Sequence, residues 1–220
     1  MQQVSSPNCG PRRDGLTPSI VVIHYTAMQS AEAAIERLCD PSAEVSAHYV
    51  IARTGEITQL VPEAQRAWHA GAGEWRDQTD INSRSIGIEL DNAGTHPFPE
   101  PQMAALETLL AGILKRWAIR PGDVIGHSDM APGRKGDPGP RFDWTRLAKA
   151  QLAAPTRMSP AGDPDTAAFR AIVNAAGFTA AVDDQSLLEA FRLRHRPSAS
   201  GPLDAQDMKI AAGSASARAT

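Results

Sequence analysis

Cysteine is scarce in this chain: Cys9 and Cys39 are the two thiols in 220 residues, and no CxxC spacing is present. A disulfide-stapled scaffold and a zinc ribbon are thereby excluded, and two free thiols are favoured over a disulfide or a metal pair. A basic excess is missing as well. Lys and Arg number 22 against 25 Asp and Glu, a net charge of −3, which argues against a nucleic-acid partner. No apolar run is long enough to span a bilayer, the stretch Ile20–Ile23 falling far short. The opening MQQVSSPNCGPRRDG has no apolar core of the kind a secretory leader carries. The expectation is therefore a cytoplasmic protein without a transmembrane segment, with an envelope location as the alternative if a leader is missing.

What is present suits a globular enzyme-sized chain. Hydrophobic residues make up 42% and charged ones 21%, enough for one full core and a small second domain. Residues 1–18 read as an N-terminal arm rich in Pro, Gly and Arg. SIVVIHY at 19–25 is a β-branched run that predicts a strand buried on both faces and ending in His24. Helical spacing follows over Ser30–Leu38. SAHYVIA at 46–52, the turn RTGE and Ile57–Val61 predict a hairpin, and AWHAGAG at 67–73 a glycine-rich loop. SIGIEL at 85–90 alternates apolar with small residues and predicts another strand. Pro101–Trp117 carries apolar residues at i, i+3 and i+4, a strong amphipathic helix, and Phe142–Leu152 a shorter one capped by Asp143.

Strands interleaved with helices, plus one hairpin, predict an α/β fold: a central mixed β-sheet flanked by helices over 19–152. Residues 153–163 have linker composition. Over 164–213 the pattern predicts a small C-terminal three-helix domain, with helices at 166–176, 185–194 and around 205–211, and 214–220 read as a disordered tail.

The chemistry concentrates in VIGHSDMAPGRKGDPGPRFDW at 124–144. A short strand delivers His127, and a Pro/Gly-rich loop, poor material for a core, brings back Lys135 and Asp137. His24 and His127 both sit at strand ends, so one sheet edge can present both. Two imidazoles and a carboxylate with an open fourth position form a set that catalytic zinc uses, and Asp137, braced by Pro138 and Gly139, is the best carboxylate. No HExxH or similar local code supports this, so spacing alone leaves a structural origin open.

Five motifs in order, IHYT at 23–26, SAHYVI at 46–51, AWHAG at 67–71, SIGIEL at 85–90 and GHSDMAPGRKGDPGPRFDW at 126–144, resemble the zinc-dependent N-acetylmuramoyl-L-alanine amidases of type 2. The likeness is greatest to the murein recycling and turnover enzymes related to peptidoglycan-recognition proteins. It implies Zn²⁺ held by His24, His127 and Asp137, Glu89 as catalytic proton carrier, and Lys135 as catalytic stabiliser of the oxyanion. His48, Trp68 and His69 lie in shared motifs and are implied as substrate-binding residues of the cleft. The implied reaction is hydrolysis of the amide between the lactyl group of N-acetylmuramic acid and L-alanine in peptidoglycan or muropeptides. Residues 164–213 resemble, more loosely, a three-helix peptidoglycan-binding domain. A non-catalytic peptidoglycan-binding module, or a zinc amidase for a non-murein amide, stay as alternatives. His96 and His195 read as surface residues.

Overall fold

The computed structural model describes residues 1–216. In chain order its elements are β1 (Gln2–Gln3), β2 (Cys9–Pro11), β3 (Ile20–Tyr25), α1 (Ala31–Cys39), β4 (Tyr49–Ile51), β5 (Ile57–Gln59) and β6 (Gln65–Ala67). There follow α2 (Ile81–Arg84), β7 (Ser85–Leu90), α3 (Glu100–Trp117), β8 (Val124–Gly126), α4 (His127–Met130) and α5 (Trp144–Lys149). The last three helices are α6 (Thr166–Ala176), α7 (Asp184–His195) and α8 (Ala205–Ser216). Six strands form one mixed sheet in the order β1-β5-β4-β7-β3-β8. β4, β7, β3 and β8 are parallel, whereas β5 turns back antiparallel to β4. The expected hairpin turn is there, with Gly55 at φ +87°, a conformation that suits glycine.

Period two along the strands sorts the residues between two faces. Val21 and Ile23 of β3, with Ile86, Ile88 and Leu90 of β7, pack against Met103, Leu106, Leu110 and Ile113 of α3. Ile20, Val22 and Ile125 face the other way and pack with Met130, Trp75 and the C-terminal helices. His24, in phase with Val22, and Glu89, out of phase with Ile88, therefore leave the sheet on that second face. Side-chain caps start the helices: Asp143, the expected cap, accepts from the Arg146 N–H, and Ser30 and Asp165 accept from the N–H groups of Ala33 and Ala168.

The N-terminal arm is extended but not loose. β1 lies beside β5 and β2 pairs with β6. The Arg12 guanidinium donates to the carbonyls of Glu63 and Ser85 at 2.7 and 3.1 Å. Both cysteines are free and half-buried.

Helices α6–α8 do not enclose a core of their own. Phe169, Val173, Phe178, Leu187 and Phe191 are continuous with the sheet residues Val22 and Ile125. α8 runs through Ser216, beyond the end read from its weak pattern and into the segment expected to be a disordered tail; 217–220 lie outside the described residues. His195, expected at the surface, instead packs its ring on Phe191 at 4.6 Å between centroids. Two buried ion pairs tie these helices down. Arg192 meets Asp207 of α8 at 2.5 Å. Arg194 crosses to Asp129 of α4 at 2.7 Å, donates to the Val124 carbonyl at 3.2 Å and stacks on Trp144.

Asp129 in turn accepts from the Gly126 N–H at 2.8 Å, so α7 braces the strand end that carries His127. Removing one partner of such a pair leaves a charge buried without compensation. Arg194→Ala is expected to cost about 3–5 kcal/mol, read as a lowered denaturant midpoint in urea unfolding.

Candidate active site

Three neighbouring parallel strands build the site, at the carboxyl ends where open α/β sheets place their ligands. His24 on β3 stands beside Glu89 on β7, and Ile23 stands beside Gly126 on β8, so His127 emerges next to His24. The two imidazole rings are edge-to-face with centroids 4.5 Å apart. After α4 the chain turns back, the N–H groups of Arg134 and Lys135 both bonding the Ala131 carbonyl. It re-enters where the Ser128 N–H meets the Asp137 carbonyl at 3.0 Å. Pro138 then lies so near Gly126 that a Cβ there would stand 2.7 Å from its ring.

This return sets Asp137 Oδ2 at 2.8 Å from His24 Nδ1 and 3.1 Å from His127 Nδ1. The three donor atoms lie within 4.8 Å of one another, and all three residues are buried. Their chemistry fits a cation. His127 Nε2 sits 2.8 Å from the Ala70 carbonyl, which can only accept, so the neutral ring keeps its proton there and turns a bare Nδ1 toward the carboxylate. A lone pair facing a carboxylate oxygen is repulsive unless a positive ion lies between. Burial, aided by the neighbouring His127, lowers the His24 pKa to about 4, so this ring is neutral and able to ligate at pH 7. Two imidazole nitrogens and one carboxylate oxygen make up a donor set that zinc accepts at catalytic sites.

A cavity of about 400 Å³ opens over this group, walled by Trp68, His69, Glu89, Lys135, Tyr25 and Arg37 among others. Glu89 is half-buried, and its Oε2 is enclosed with no hydrogen-bond partner. Burial pushes its carboxyl up to about 8; the Asp137 charge adds to this and the Lys135 ammonium opposes it. Lys135 itself is exposed at the rim, near enough to act electrostatically on Glu89 and His24.

Of the residues expected in the cleft, Trp68 and His69 are on its wall. His48 is not. Its ring is fully buried beneath the sheet edge, its Nδ1 accepting from the Gly87 N–H at 3.0 Å and its Nε2 directed at the Gln65 carbonyl at 3.1 Å. Both nitrogens are spent on joining strands, so His48 cannot touch a ligand in the cavity. Sequence reasoning did not find Tyr25 or Arg37 on the wall, because Arg37 reads as the solvated face of α1 and Tyr25 as the end of an apolar run. Nor did it find Asn82, whose Oδ1 accepts from the N–H groups of His69 and Ala70 at 3.0 and 2.8 Å and so pins the AWHAG loop.

A mixed sheet whose strand ends gather two imidazoles, a carboxylate and an unpaired glutamate has the layout of a metal-dependent hydrolase. Residues 14–140 match the family model described as N-acetylmuramoyl-L-alanine amidase. The N-acetylmuramoyl-L-alanine amidase AmiD of Escherichia coli is 34% identical over 224 residues, covering 87% of this chain and 80% of that one. The 1,6-anhydro-N-acetylmuramyl-L-alanine amidase AmpD of Citrobacter freundii is 35% identical over 163 residues, covering 66% and 87%. Among solved structures, AmpDh3 from Pseudomonas aeruginosa superposes with a TM-score of 0.84 at 30% identity, covering 96% of each chain. AmiD in complex with anhydro-N-acetylmuramic acid-L-Ala-D-gamma-Glu-L-Lys gives 0.80 at 33% identity, covering 89% of this chain and 88% of that one. The chain belongs to the N-acetylmuramoyl-L-alanine amidase family.

The contact between Gly126 and Pro138 predicts how finely the third ligand is placed. Gly126→Ala is expected to push the 137–140 return outward. Zinc affinity should fall at least tenfold in a chelator competition while the far-UV circular dichroism stays unchanged.

Proposed function

We propose that this amidase is zinc-dependent, with His24, His127 and Asp137 as ligands, Glu89 as proton carrier and Lys135 as oxyanion stabiliser. The reaction is hydrolysis of the amide between the lactyl group of N-acetylmuramic acid and L-alanine, releasing the stem peptide. The observation that carries the zinc reading is the convergence of three buried lone-pair donors within 4.8 Å, beside a glutamate oxygen that has no partner. Zinc held by these residues would supply a Lewis acid able to polarise a carbonyl and to activate water near neutral pH.

The protein's own groups do the rest. The Glu89 carboxylate takes a proton from the attacking water and returns it to the departing L-alanine nitrogen. Burial, which raises the Glu89 pKa, makes its carboxylate a stronger base than an exposed one for the first transfer, and the proton it gains is then delivered to the leaving nitrogen. In this reading the Lys135 ammonium at the cavity rim stabilises the lactyl carbonyl oxygen as negative charge develops, an effect that strengthens when bound substrate excludes water from the rim. Trp68 offers a flat wall for a sugar or peptide face. His69 borders the same cavity.

For the substrate we propose soluble anhydro-muropeptides. AmpD relatives carry 1,6-anhydro-N-acetylmuramyl-L-alanine in their names, and the AmiD structure holds an anhydro-muramyl tripeptide. No helix among the described residues is long and apolar enough to cross a membrane. A cytoplasmic enzyme is the proposed setting, and cell fractionation checks it: recovery from the periplasm would contradict it. Residues 164–213 are proposed as a peptidoglycan-binding-like unit fused onto the catalytic unit 19–152.

Two expected outcomes test these roles. Glu89→Ala should lower kcat by about 10²–10⁴-fold with zinc content unchanged, whereas Asp137→Ala should lose the metal itself. Near-full turnover in Glu89→Ala would remove it as the proton carrier. Product analysis should find stem peptide released from a soluble anhydro-muropeptide and little from intact sacculi. Efficient release from sacculi would instead assign the enzyme to polymeric wall.

A further inference from the structure

A ligating histidine whose Nδ1 faces the metal keeps its one proton on Nε2, and that N–H needs a fixed acceptor. For His127 the acceptor is the Ala70 carbonyl. For His24 it is another imidazole: His24 Nε2 lies 3.0 Å from His69 Nδ1. An imidazole nitrogen accepts only when its proton is on the other nitrogen, so His69 must be protonated at Nε2. That atom is 3.1 Å from Ser85 Oγ, whose own hydroxyl proton is already committed to the Ile81 carbonyl at 2.6 Å.

The carbonyl sets the direction of the whole chain. Ser85 donates to Ile81, His69 Nε2–H donates to Ser85, and His24 Nε2–H donates to His69. His24 Nδ1 is left bare toward Asp137. The surroundings are shaped for this relay. Gly87 lies directly beneath the His69 ring, where any Cβ would overlap it, and Asn82 pins the backbone of both His69 and Ala70. One short loop thus supplies the acceptor for each histidine.

The geometry points to His69 and Ser85 as positioning residues that fix the tautomer of His24 and hold its Nδ1 ready for the metal. This goes beyond the cleft-wall role expected of His69, and it rests on the reading of His24, His127 and Asp137 as zinc ligands. Without the His69 acceptor, the proton of His24 moves to Nδ1, where Asp137 Oδ2 waits at 2.8 Å, and zinc must displace it.

The test uses zinc affinity by chelator competition and ¹⁵N shifts of the histidine rings in the zinc-loaded full chain. The wild type is expected to bind one zinc and to show His69 protonated at Nε2. His69→Phe, which keeps a ring but no acceptor, should bind zinc about 10–100-fold more weakly. His69→Asn, which keeps an acceptor at the δ position, should recover part of that loss. Ser85→Ala should weaken zinc several-fold and shift His69 toward the Nδ1–H tautomer, and it decides the matter if His69→Phe does not fold. His69 protonated at Nδ1 in the wild type, or unchanged zinc affinity and ring shifts in Ser85→Ala, would overturn the relay while leaving the ligand set intact. A wild type that binds no zinc would overturn the ligand set and the relay with it.

Discussion

Three lone pairs aimed at one point is the constraint on which the rest of this structure depends. His24, His127 and Asp137 would repel or rearrange if held together by packing alone, since each is an acceptor in the form that ligates. The fold resists this by placing the two histidines at the ends of adjacent parallel strands, His24 in β3 and His127 just past β8, and by tying down the loop that returns Asp137. The apolar face of β3 and β7 against α3 fixes the strands. Arg194, reaching from α7 to Asp129 and the Val124 carbonyl, fixes the end of β8. The C-terminal helices therefore belong to the support of the site as much as to the core they share with the sheet.

Much of this was legible in the sequence because it depends on local pattern. SIVVIHY announces a buried strand ending in histidine, and GHSD after a short apolar run announces a second. The loop from Pro132 to Pro140 has too little side chain to pack and too many fixed backbone angles to wander, so it reads as a holder of charged groups. The amphipathic spacing of Pro101–Trp117 and the cap at Asp143 are equally local. The alternation in SIGIEL was visible too, but its reason was not. Ser85 and Gly87 are small because the His69 ring lies across them, a contact made by a loop that precedes the strand.

What stayed hidden depends on tertiary neighbours. His48 and His69 sit in similar motifs, yet one is buried with both nitrogens bound between strands while the other meets a histidine on one side and the cavity on the other. No spacing rule separates the two. The arm at 1–18 reads as an extended tether, and only the register of β1 and β2 shows it stitched to β5 and β6. α8 runs on to Ser216 because it packs on α6, a support its own weak apolar pattern does not reveal.

Zinc-edge X-ray absorption of the purified, metal-loaded chain bears most directly on the convergence of the three ligands. Two imidazole nitrogens and oxygen neighbours at about 2.0–2.2 Å, with no sulfur, are the expected first neighbours of the metal. A sulfur at about 2.3 Å would place zinc on Cys9 or Cys39, and a single imidazole would separate His24 from His127. Either result would contradict the site described above.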